Sequence, residues 1–106
     1  MILIYTTHSD EAAAKACCDA LLKERLIACA NIFPIISMYW WEGTITGEGE
    51  VVALMKTSAA CWDALERKIL EIHPYKTPCI IRMEASANQD YEAWIADQVV
   101  LPANRK

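Results

Sequence analysis

The chain is short of positive charge. Ten lysines and arginines stand against fourteen aspartates and glutamates in 106 residues, a formal net charge of −4. Nucleic-acid phosphates demand a basic patch, and so does an anionic membrane surface, so the sequence excludes both as partners. No basic segment leads into an apolar run at the start, and Ile2-Leu3-Ile4-Tyr5 is too short to span a bilayer. The expected compartment is the cytoplasm. Repeats, low-complexity stretches and linkers are also missing, which leaves one expected domain, residues 1–106. The five cysteines, Cys17, Cys18, Cys29, Cys61 and Cys79, are odd in number and show no Cys-x-x-Cys spacing. A disulfide framework is therefore not expected, and most of these thiols read as small packing residues.

What is present is apolar surface. Hydrophobic residues make up 55% of the chain, with Trp40, Trp41, Trp62 and Trp94 among them. A chain this size buries roughly two-thirds of the surface its unfolded form exposes. A partner subunit is the natural cover for the surplus.

The patterning predicts seven elements. Ile2 to Thr7 reads as a strand, and Ser9 offers a cap for a helix over 10–24 with Asp10 and Glu11 in its first turn. Ala14, Cys17 or Cys18, Leu21 and Leu22 mark its apolar stripe. A long strand runs from Leu26 to Trp41, and Pro34 inside it implies a bulge or an edge position. Glu42-Gly43-Thr44 turns the chain into a return strand from Ile45 to Lys56. That hairpin overreaches a domain of this size. A second helix, capped by Thr57 or Ser58, presents Trp62, Leu65, Ile69 and Ile72 on one face and ends near His73, because Pro74 disfavours the helical conformation before it. A strand from Cys79 to Ala85 alternates Ile81 and Met83 with Arg82 and Glu84, the pattern of a sheet with one wet face. A last helix starts at Ser86 or Asn88 and carries Tyr91, Trp94, Ile95 and Val99, and a tail from Leu101 holds Pro102. The order β-α-β-β-α-β followed by a helix predicts an α+β, ferredoxin-like fold, with both crossover helices on one face of an antiparallel sheet.

Few residues offer chemistry. His73 reads two ways: as a metal ligand, or as a cap that answers the last carbonyls of its helix. His8 reads as a solvated residue of the first strand-to-helix turn, and Glu42, Glu48 and Glu50 as a solvated face. Trp40 and Trp41 are adjacent and must face opposite sides of their strand, so one is expected in the subunit core and the other at an interface. A buried indole there would cost about 3–5 kcal/mol on truncation to alanine.

The run Leu26-Ile27-Ala28-Cys29-Ala30-Asn31-Ile32-Phe33-Pro34, continuing in Ser37-Met38-Tyr39-Trp40-Trp41-Glu42-Gly43, resembles the signature of the CutA divalent-cation-tolerance family. Glu50 with Met55-Lys56-Thr57, then His73-Pro74-Tyr75, then Tyr91 with Trp94-Ile95 agree with it in order and spacing. The resemblance covers almost the whole chain. It implies a tight homotrimer whose long hairpins, with Pro34, Tyr39, Trp40 and Trp41, pair around a threefold axis, as in the PII signalling proteins. It also implies a response to copper or another divalent cation and no organic cofactor. His73 and Cys79 are the metal candidates. Cys79 stands where the family usually has an acidic residue, and a thiolate there would favour Cu(I). The second histidine and the first-strand cysteine of some relatives fall at Ile72 and Thr6 here. The alternative function is a PII-like adaptor that binds a small molecule or a protein in clefts between subunits. Catalysis of the acylphosphatase kind is not expected, because Thr6-Thr7-His8-Ser9 has neither the glycine nor the arginine of a phosphate-cradling loop.

Overall fold

A computed structural model describes residues 1–100; the tail from Leu101 lies outside them. The chain runs β1 (Ile2–His8), α1 (Glu11–Lys23), β2 (Cys29–Trp41), β3 (Thr44–Thr57), a 3-10 turn (Ala59–Cys61), α2 (Trp62–Ile72), β4 (Ile80–Glu84) and α3 (Gln89–Gln98). The strands form one antiparallel sheet in the order β2-β3-β1-β4. Helix α1 thus carries the chain from β1 past β3 to β2, the split connectivity of the predicted β-α-β-β-α-β order.

Helix α1 is capped by Asp10 rather than Ser9. The Asp10 carboxylate accepts from the Ala13 N–H at 2.7 Å. An aspartate at this position adds charge to the positive helix end, which a serine hydroxyl cannot. The helix closes with Arg25 in the left-handed region (φ 58), the Leu26 N–H reaching Leu21 O and the Arg25 N–H reaching Leu22 O. This paired closure delays the start of β2 from the predicted Leu26 to Cys29. The cluster beneath α1 and α2 contains Ile2, Ile4, Ala53 and Met55 from the sheet with Cys17, Cys18, Leu21, Leu65 and Ile69 from the helices. Burial pushes the Cys17 and Cys18 thiols up, to about 11 and about 12, as expected of inert packing thiols.

The β2–β3 ladder is unbroken from Cys29↔Lys56 to Trp41↔Thr44. Pro34 therefore sits at an edge and not in a bulge: β2 is the outer strand, so its missing N–H deprives no neighbour. Strand β1 pairs with β3 only from Val51 onward, which leaves Ile35–Trp41 and Thr44–Glu50 as a two-stranded overhang. Its apolar side chains stand in the open, Ile36 at 84% exposure, Met38 at 76% and Trp40 at 72%. Trp41 is also exposed. Neither tryptophan fills the subunit core, contrary to the expectation for one of them, because the core beneath the helices reaches β3 only at Ala53 and Met55 and the overhang runs beyond it.

Strand β4 corrects a second expectation. Ile81 and Met83 pair with Tyr5 and Leu3 and share their face, which points away from α1 and α2 and leaves them exposed. Arg82 lies on the helix side, with its guanidinium 5.6 Å from the Trp62 ring. Ile81 and Met83 are thus turned away from the subunit's own core, which β4 meets through Ile80.

Candidate functional site

Pro74 forces His73 out of helical geometry, to φ −76 and ψ 128. The His73 ring is turned against the end of β1. Its Nε2–H donates to the Thr7 carbonyl at 2.8 Å, and its Nδ1 accepts from the Tyr75 N–H at 3.2 Å. The acceptor at one end and the donor at the other fix the neutral Nε2–H tautomer. The ring answers no helix carbonyl; the helix end is closed instead by the His73 backbone N–H on Ile69 O.

His8 is not a solvated loop residue. It is the last residue of β1, 1% exposed, and its ring stacks on His73 with centroids 4.8 Å apart. Its Nε2–H meets Thr6 Oγ1 at 2.8 Å, and the Thr6 hydroxyl donates onward to the Ala53 carbonyl. Burial, and then the neighbouring His73, push the His8 imidazole down to about 4, with Glu50 pulling the other way. The sequence held a signal for this placement: Ile2, Ile4, Thr6 and His8 continue one alternating set.

Tyr75 joins the imidazoles to the hairpin. Its ring meets His73 edge-on at 4.6 Å, and its hydroxyl donates to Glu50 Oε2 at 2.9 Å. Burial and Glu50 both push that phenol up. Glu50 is buried to nine-tenths of its surface, so the solvated-face reading of this residue is overturned. Glu48 is exposed as expected and accepts from the Tyr39 hydroxyl. Tyr39, Trp41, Glu48, Glu50 and Tyr75 border a cleft of about 560 Å³, with Trp40 beside it in the strand. Thr7 and Cys79 form its floor, and Lys76 stands at its rim.

Cys79 lies just before β4 and is half-buried. Its thiol is pushed up, chiefly by burial and then by the Glu50 charge, against a hydrogen bond from Thr7. His73 and Cys79, the two metal candidates, thus both touch Thr7, one through its carbonyl and one through its side chain. They do not make a closed metal site. Both His73 ring nitrogens are committed, and among the described residues no group of three or more His, Cys, Asp or Glu side chains gathers closely enough to hold an ion. A structural divalent site generally needs such a set.

The family model described as CutA1 divalent ion tolerance protein matches residues 2–98. The chain belongs to this family. The divalent-cation tolerance protein CutA of Pyrococcus horikoshii is 44% identical over 99 residues, which cover 92% of this chain and 97% of that one. Among solved structures, the periplasmic divalent cation tolerance protein CutA of Archaeoglobus fulgidus superposes with a TM-score of 0.90 at 32% identity, covering 94% of this chain and all of that one. The PII-like protein CutA of Nostoc superposes at 0.89 with 27% identity, covering 95% and 99%. The sequence resemblance to the CutA family is thereby borne out. Among the described residues no helix is long and apolar enough to cross a membrane.

Proposed function

We propose that this chain serves divalent-cation tolerance as a homotrimer, without catalysis, and that its response to the ion does not depend on a tight metal site within one subunit. The observation that carries the assembly is the overhang. Gly47 and Gly49 stand across from Met38 and Ile36, so one face of the ribbon is a flat apolar strip with no side chain opposite. A two-stranded ribbon is marginal by itself in water. The exposed Ile81 and Met83 add apolar surface on the face away from α1 and α2. Three copies covering one another's hairpins and open faces would satisfy both. The five unpaired thiols support a reducing compartment, the cytoplasm.

For the metal, a cation reaching His73 and Cys79 must displace the His73 hydrogen bonds and a thiol proton, which favours weak capture over stable ligation. The test is light scattering joined to competitive titration of the reduced protein with Cu(I), Cu(II) and Zn(II). The expected result is a mass of three chains at low micromolar concentration, with weak binding little changed by His73→Ala or Cys79→Ala. A monomer overturns the assembly. Tight, stoichiometric binding lost in His73→Ala overturns the metal reading and makes His73 a ligand. The second reading, a PII-like sensor of a small molecule, is favoured by the cleft between the hairpin and Tyr75.

A further inference from the structure

We infer that the cleft between the hairpin and Tyr75 is a binding site for a small organic monocation, an alkylammonium. The inference rests on the second reading above, that this cleft binds a small molecule at all. Three aromatic side chains, Tyr39, Trp41 and Tyr75, line it together with two carboxylates, Glu48 and Glu50, whereas the Trp40 side chain stands on the opposite face of β2 with Ile36 and Met38. Glu50 is the decisive group. It is 9% exposed and receives one hydrogen bond, from Tyr75 to Oε2; Oε1 accepts none among the described residues. A buried carboxylate oxygen left without a donor is expensive, and a cationic N–H donor arriving in the cleft removes that penalty. The tyrosine hydroxyls cannot supply it, since Tyr75 already donates to Oε2 and Tyr39 donates to Glu48. Lys76 offsets one of the two negative charges from the rim, and no ion pair holds it among the described residues. One further positive charge is therefore the complement.

The lining also selects the kind of cation. Mg²⁺ and Ca²⁺ need about six oxygen ligands, and here two carboxylates are flanked by rings. Aromatic faces attract weakly hydrated organic cations, and the alkyl part of such a guest packs against the Trp41 indole.

The test follows the four tryptophan indole N–H signals of the assembled ¹⁵N-labelled protein by NMR, with the Trp40 and Trp41 signals assigned from Trp40→Phe and Trp41→Phe. The probes are n-butylammonium chloride, its neutral counterpart 1-butanol, and MgCl₂. The expected result is a saturable shift of the Trp41 signal by n-butylammonium alone, larger than any shift of Trp40 on the opposite face, with Trp62 and Trp94 unmoved. Glu50→Gln should weaken that binding about tenfold or more, and the unmoved Trp62 and Trp94 signals report an intact fold. If Glu50→Gln does not fold, Glu48→Gln should weaken binding several-fold, since its carboxylate is exposed. Equal shifts by 1-butanol would overturn the charge selectivity while leaving the cleft a binding site. Silence of the Trp41 indole to every probe would overturn the cleft reading as well, as when a side chain of a second copy already fills it. Indole shifts indifferent to both glutamine variants would remove the carboxylates from the argument.

Discussion

The His8 imidazole, stacked on His73 and shut off from water, stays neutral, and this ties the chain's stability to pH at one residue. His8 ionises near 6.5 in an unfolded chain and near 4 in the fold. Between those values the unfolded chain takes up a proton that the folded chain refuses. His8 therefore costs nothing above about pH 6.5, and stability falls as the pH drops through the window toward 4. The full loss is about 3 kcal/mol. The groups that face His8 are His73, which lowers its affinity for the proton, and Glu50, which raises it. Urea midpoints measured from pH 7.5 to 4.5 should fall along this slope in the wild type and follow a shallower one in His8→Gln, which keeps a donor for Thr6. Parallel curves would show that His8 is not buried as described. His8 also marks the limit of residue-level reading. Its burial depends on Pro74 turning the end of α2 over the last residue of β1, a contact between positions 65 apart that no local pattern encodes. Glu50 was hidden for the same reason, because its partner Tyr75 lies in a loop 25 residues away.

At the scale of elements, the periodicity of the sequence located every helix and strand, and the differences lie at the ends. Alternation and helical spacing are short-range signals, so they survive without tertiary context. Caps and closures depend on which of two adjacent polar residues wins, as with Asp10 over Ser9, or on a left-handed residue such as Arg25 that nothing marks beforehand. The hairpin turn is the instructive case. Glu42 and Gly43 are the two residues between β2 and β3, and both have positive φ, 49 and 80. This is the two-residue turn whose twist matches that of the strands, and Asn-Gly is its favoured sequence. Glutamate pays a steric penalty in this region that asparagine largely avoids. Glu42→Asn should stabilise the chain by about 0.5–1 kcal/mol, read as a raised urea midpoint at unchanged slope. A lowered midpoint would mean that the Glu42 side chain makes a contact worth more than the strain.

At the scale of the whole molecule, the face of each strand was the hard part. The sequence gives the alternation of β4 but not which side the helices will cover, and the exposed side proved to carry Ile81 and Met83. For Trp40 and Trp41 the same gap led to an expected core role that the subunit does not provide. On the trimer reading, charges placed on the flat strip should separate the chains without unfolding them. Ile36→Glu with Met38→Glu should give a monomeric mass by light scattering, with helical circular dichroism retained, because both positions are open in the subunit. A trimer that persists in the double variant would move the interface to the face of Ile81 and Met83.

The uninterrupted β2–β3 ladder also sets an order in time. Its thirteen pairs close across a two-residue turn, whereas β1 meets β3 only across about half of the chain and β4 only across most of it. Closing the short loop sacrifices far less chain entropy than closing the long ones, so the ribbon is the first sheet contact available to a growing or refolding chain. The surface that the mature subunit leaves open is therefore also the surface on view earliest. Pro34, standing without an N–H in the outer strand, keeps that early ribbon from recruiting another along its whole edge before the helices arrive.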